Sequence, residues 1–232
     1  MPEKNIHVGH RKRAKAEFLI RGLEGLPDHK VLELLLFYAI PQGDVNPLAH
    51  RLLDHFGSLS GVFHATHEQL TEVSGVGDNT ATLIRLVTAV AARYMQDQVD
   101  MKDVFTHSWQ FQQLFSPYFF GVRNEMAYLA CLDGKHKLIA CKKLSEGDAL
   151  STEVTARTVV SAALACNATT VALAHNHISG IALPSEADKL STRRLYQVLS
   201  NVGIRLYDHY IIAGDDMVSM RESGYFETLE NG

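Results

Sequence analysis

Cysteine is scarce in this chain: three in 232 residues (Cys131, Cys141 and Cys166), with no C-x-x-C pair. So odd and scattered a set speaks against a disulfide framework or a thiolate zinc knot and fits a reducing cytoplasm. Cys131 and Cys166 lie in apolar stretches and read as small core residues. No apolar run approaches the ~20 residues of a membrane span. The first residues, Met1 to His7, are polar and lack the apolar core of a signal peptide. Positive charge is not in excess either. The net charge is −4, and residues 1–100 carry 10 Lys+Arg against 12 Asp+Glu, residues 101–232 carry 12 against 14. Neither half is an electrostatic trap for nucleic acid. Only His10 to Lys15 is locally basic; such a run reads first as a solvated tail and second as a phosphate-binding arm.

Several hydrolase signatures are also missing. There is no H-E-x-x-H, since His67-Glu68 is followed by no second histidine, and no P-C-x-x-C of zinc deaminases. No phosphate loop or G-x-S-x-G nucleophile elbow occurs. What remains is ordinary globular material, 46% hydrophobic and 21% charged, long enough for one or two domains.

The informative segment comes late. The apolar run Val171-Ala172-Leu173-Ala174 enters His175-Asn176-His177, followed by Ser185 and Asp188, an H-x-H-x7-S-x2-D pattern. Side chains two apart on a strand share a face, so His175 and His177 can reach one ion. Ser185-Glu186-Ala187-Asp188 reads as a capping helix start, with Asp188 in the first turn. Two imidazoles and one carboxylate leave a tetrahedral Zn²⁺ one open position, the composition of a catalytic site. A lone H-x-H among 12 histidines is weak; the ordered extension makes the pattern specific.

The flanking chain divides in two. Residues 1–100 read as helical, with helix starts at Pro27-Asp28 and Asp44-Val45-Asn46-Pro47, Pro41 as a stop and a short helix near Gly61 to His64. Over about 68–93, helix, Gly75-Val76-Gly77 and helix have the arrangement of a helix-hairpin-helix motif, whose turn can face a phosphate. Gly75, Gly77 and Arg85 are the candidate DNA-contacting residues. The same pattern is also a plain tight connection, and Asp78 stands where a cation would help. Polar residues 95–103 read as the linker, unless the preceding helix continues into them. Residues 101–232 read as α-β-β-α-β-α-β-β: helix 108–118, a hairpin of 125–133 and 138–143, helix 156–167, the histidine strand, helix 185–202, then strands 204–212 and 217–220. This order predicts a mixed sheet with helices packed about it, an α+β chain overall.

From Asn124 to Phe226 the chain resembles the RadC family of bacterial JAB/JAMM (MPN-type) domains, and the helical first half resembles that family's helix-hairpin-helix region. The resemblance rests on Ala174-His175-Asn176-His177-x-Ser179-Gly180, Pro184-Ser185-x-x-Asp188, Asp208-His209 and Val218-Ser219. It implies a zinc-dependent hydrolase of amide or isopeptide bonds in peptide or protein substrates, with Zn²⁺ on His175, His177 and Asp188. It also implies a glutamate about 50 residues upstream that activates the water. Glu125 stands at that place and ranks above Glu146, Glu153 and Glu186 as the base. Ser185 reads either as an oxyanion donor or as the helix cap. Asp208 and His209 read as groups supporting the ligands. The family's DNA-repair label implies an alternative: a DNA-associated protein or metal-dependent nuclease using the helical half. A third reading, a non-catalytic MPN-type module, sits poorly with the retained ligands. Two departures stand out. Ile178 replaces the family's usual proline, and Ala156-Arg157-Thr158 replaces Pro-Arg-Glu.

Overall fold

The computed structural model describes residues 9–98, 104–147 and 155–230. The chain forms two compact units that divide between Ala91 and Ala92, inside a helix and ahead of the expected 100/101 boundary. Of the expected linker, residues 95–97 are helical and residues 99–103 lie outside the described residues.

The first unit is helical: α1 His10–Arg21, α2 Asp28–Ala39, α3 Asn46–Phe56, α4 Leu59–His64, α5 His67–Glu72 and the start of α6, Asp78–Asp97. Its helix ends are where the sequence signals lie. Pro47 is in the first turn of α3, and Thr66 and Gln69 form a reciprocal capping box on α5. Leu32, Leu36, Leu48, Leu52, Leu70 and Ile84 close the core. Between α5 and α6, Gly75 has φ +95°, and a Cβ there would stand 3.1 Å from the Arg51 guanidinium. Gly77 does not need positive φ.

The basic arm is a correction. His10 to Lys15 belong to α1, and Arg11 is partly buried. Its guanidinium donates to the carbonyls of Ile40 at 2.8 Å and Gly43 at 2.7 Å, and lies over the Phe37 ring. His10 meets the buried Glu33 at 3.0 Å. A cation at a helix C-terminus satisfies carbonyls that have no helical partner, so the charge of Arg11 is used internally, while Lys12 and Arg13 are exposed.

The second unit holds the remainder of α6, α7 Ser108–Phe119, β1 Glu125–Leu132, β2 Leu138–Gly147, α8 Ala156–Ala165, β3 Thr170–Asn176, α9 Glu186–Asn201, β4 Arg205–Ala213, β5 Asp216–Ser219 and α10 Tyr225–Glu230. The expected helix and strand order holds; α10 was not anticipated. The strands form one mixed sheet in the order β2-β1-β3-β4-β5, with β3 and β4 parallel and the other pairs antiparallel. Alternation divides each strand between two cores. Tyr128, Ala130, Ala172, Ala174 and Tyr210 pack on Phe111 and Phe115 of α7. On the other face Leu129, Val171, Leu173 and Ile211 pack on α8, α9 and α10. Burial on both faces explains why β3 reads as a continuous apolar run rather than an alternating one.

Candidate metal centre

β3 ends where β1 begins, because the two are antiparallel, and that end of the sheet carries the histidines. His175 shares a face with Leu173 and is the register partner of Ala127. Glu125, two residues before Ala127, lies on the same face by alternation. Asn176 points the other way. Its amide oxygen accepts the Met126 N–H at 2.7 Å, and its NH₂ donates to the Asn124 carbonyl at 3.1 Å. The residue between the two histidines therefore clips β3 to the segment leading into Glu125.

α9 supplies the third group. The Ser185 hydroxyl accepts the Asp188 N–H at 3.2 Å, while the Asp188 Oδ2 accepts the Ser185 N–H at 2.7 Å and hydroxyl at 2.5 Å. The cap thus also aims the carboxylate. His175 Nε2 lies 3.0 Å from His177 Nε2 and 3.1 Å from Asp188 Oδ1, and His177 Nε2 lies 3.3 Å from Asp188 Oδ2. These side chains are 14 to 18% exposed. Among the described residues this is the one cluster of such groups able to hold a metal, with ligand atoms within 4.8 Å of one another. Burial alone would raise the Asp188 pKa, but the bond and charge of His175 and the Ser185 donors hold it well below the usual carboxylate range.

Behind the ligands sit Asp208 and His209 on β4. His209 Nε2 is 2.8 Å from His175 Nδ1, and its Nδ1 is 2.6 Å from the Thr192 hydroxyl. Burial drives the His209 imidazole well below its ordinary pKa, with the neighbouring His175 acting in the same sense. Asp208 does not face the ligands. It accepts the N–H groups of His209 and Arg221 and the Ser219 hydroxyl, and its burial raises its pKa against those bonds. It braces the strand that presents His209.

The groove beside the cluster, about 870 Å³, is lined by Glu125, His175, His177, Ser185, Asp188 and Arg194, among others. Its rim is apolar and uncovered, with Ile181, Leu183 and Leu190 59 to 71% exposed. Ile178 lies on the same β3–α9 connection, 62% exposed. Glu186 is at the first turn of α9 and pairs with Lys189; Glu153 lies outside the described residues. His136 and His67 are not part of the cluster and are half-buried: His136 packs edge-on against Tyr207, and His67 is 3.6 Å from Asp78.

Gly75, Gly77 and Arg85 belong to the helical unit. Arg85 donates to the Ala65 carbonyl at 3.3 Å, at the end of α4. Two participants carried no sequence signal. Thr192 reads as an unremarkable mid-helix threonine, and Asn176 as the spacer of H-x-H.

Comparison with known proteins agrees with this architecture. The family described as RadC-like JAB domain matches residues 79–225. A UPF0758 protein of Ruegeria pomeroyi is 37% identical over 217 residues, covering 93% of this chain and 96% of its own length. One from Rhodobacter capsulatus is 37% identical over 211 residues, covering 90% and 98%. One from a Polaromonas species is 34% identical over 212 residues, covering 91% and 95%. With the two histidines and the aspartate gathered at the end of a mixed sheet, and the match running from α6 to the start of α10, the chain belongs to the RadC-like JAB domain family, a JAMM-type family whose members are often metallohydrolases.

Proposed function

We propose that the chain is a zinc-dependent hydrolase that cleaves an amide or isopeptide bond in a peptide or protein, with Glu125 as the proton carrier. The observation that carries the reading is the convergence of three acceptor atoms in a groove that Glu125 also lines. Zn–N distances near 2.05 Å in a tetrahedron would put ligand atoms about 3.3 Å apart. The imidazole nitrogens are 3.0 Å apart, and each has one of the two Asp188 oxygens at 3.1 or 3.3 Å, so the donors already lie about as close as such an ion requires. The softness of the set agrees: two imidazoles and one carboxylate suit zinc better than magnesium or calcium, which prefer oxygen.

A zinc ion bound here would supply Lewis acidity and lower the pKa of its water toward ~7. The remaining work falls to the chain. His175, His177 and Asp188 fix the ion's place at the strand end. Glu125, which lines the groove, takes a proton from the attacking water and returns it to the leaving amine, a role that requires its carboxylate to come within hydrogen-bond reach of that water. Ser185 holds Asp188 through its single hydroxyl proton, so a part in binding the oxyanion would require it to release that carboxylate. The apolar rim of Ile181, Leu183 and Leu190 favours a substrate with bulky apolar side chains near the scissile bond over a polyanion.

Metal analysis of the purified chain should give about one zinc per molecule, lost in His175→Ala and Asp188→Ala. Equal metal content in the variants would remove the site. Glu125→Gln should keep the metal and lose about 10²–10⁴-fold in peptide hydrolysis. Cleavage of DNA and not of peptides by the metal-loaded protein would overturn the substrate class.

A further inference from the structure

His177 carries its own explanation for which ring nitrogen is free. Its Nδ1 lies 3.2 Å from the Ile181 carbonyl oxygen, which can only accept. The proton is therefore on Nδ1, and Nε2 keeps its lone pair for a metal. His175 has no such carbonyl. Its Nδ1 faces a second imidazole, His209 Nε2, at 2.8 Å, and either ring could donate across that contact.

The decision passes outward from there. His209 Nδ1 meets Thr192 Oγ1 at 2.6 Å, and Thr192 Oγ1 lies 2.6 Å from the Asp188 main-chain oxygen. A threonine hydroxyl has one proton and two lone pairs, while a carbonyl has no proton. The other neighbour of this hydroxyl, Met220 Sδ at 3.5 Å, is a weak acceptor. Thr192 is fully buried and His209 is 2% exposed, which leaves little room for water to stand in for a missing partner.

We propose that Thr192 and His209 are positioning residues that set the tautomer of His175 through a one-way relay. The Thr192 hydroxyl donates to the Asp188 carbonyl, His209 Nδ1–H donates to Thr192 Oγ1, and His175 Nδ1–H donates to His209 Nε2. His175 Nε2 is then a bare lone pair aimed at the metal position. The proposal rests on the metal-site reading above and adds to it a reason for the buried histidine. Run in reverse, with Thr192 donating to His209, the relay would put a proton on His175 Nε2 and close that position to a cation. The path also returns to its origin, since it joins the strand ligand His175 to the backbone of the helix ligand Asp188. One hydroxyl thereby couples the ring orientation of one ligand to the helix that carries another.

The test uses the full chain loaded with zinc and labelled with ¹⁵N-histidine. Long-range ¹H–¹⁵N correlation should show His209 protonated at Nδ1 and bare at Nε2; protonation at Nε2 would overturn the relay. In chelator competition, Thr192→Val and His209→Leu should weaken zinc binding by about 10–100-fold. Thr192→Ser should restore it, and His209→Gln, which keeps an acceptor toward His175, should lose less than His209→Leu. Unfolding midpoints of the metal-free proteins separate this from loss of fold. If Thr192→Val binds zinc as tightly as the parent, the relay fails and the metal site stands. If the parent binds no zinc, both fail. Should the variants not fold, the tautomer of His209 in the parent decides alone.

Discussion

Asp188 keeps its charge through its neighbours rather than through exposure. His175 and the two donors of Ser185 stabilise the ionised form by more than burial penalises it. A carboxylate with a depressed folded pKa contributes stability above its unfolded pKa, near 3.9, and loses it as pH falls toward the folded value. In EDTA, Asp188→Asn should be less stable than the parent at pH 7, and the gap should narrow steadily below about pH 4. Urea unfolding across that range measures it; a gap unchanged down to pH 3 would show that the contacts contribute nothing. At this scale the sequence was informative where chemistry has a local period. Strand alternation put His175 and His177 on one face, and the capping pattern put Asp188 in the first turn of α9. Thr192 and Asn176 were silent because their roles depend on partners 17 and 50 residues away in the chain.

Strand β4 shows why whole elements matter to a site they barely touch. Its parallel pairing with β3 places His209 opposite Leu173, one step along the same face from His175. Asp208, on the opposite face, ties that strand to the last residue of β5, Ser219, and to Arg221 just beyond it. Asp208→Ala would strip acceptors from three buried or half-buried donors, at about 1–3 kcal/mol each. A loss of roughly 3 kcal/mol or more is expected in denaturant unfolding of the metal-free chain. Parallel register of this kind cannot be read from spacing, which is why Asp208 and His209 were legible only as a pair near the ligands. The amino-terminal helix teaches the complementary lesson. Six residues rich in cations look like a solvated tail, but Arg11 ends on the carbonyls that close α2. Arg11→Met, which keeps the apolar stem, should lower stability by about 1–2 kcal/mol. Thermal unfolding reports it, and an unchanged midpoint would return the arm to solvent.

For the whole molecule, two units on one chain make a single melting temperature an uncertain guide. A ligand that binds only the folded second unit stabilises that unit by mass action, about 4 kcal/mol at a thousandfold excess over Kd. On the proposed function, calorimetry with added zinc should therefore move the transition of the second unit, and the movement should vanish in Asp188→Ala. Movement of every transition alike would mean that the units unfold together. The division into a helical half and a sheet half was plain from the patterning, because helical and strand periods do not mix. The boundary was less so, since polar residues 95–97 continue α6 instead of leaving it. The relatives span the helical half as well as the sheet half, so both units belong to the same protein across these bacteria.

Asn176 has a consequence for how such a protein can change over time. By pinning β3 to the start of β1, it makes the separation of Glu125 from the ligands a property of backbone pairing. The exposed side chains of Ile178, Ile181 and Leu183 carry none of that burden, although the Ile181 carbonyl meets His177 and Ala182 is buried. On the proposed function, these side chains could be exchanged to suit a new substrate while Glu125 and the candidate ligands keep their spacing, so recognition and chemistry would be free to evolve at different rates.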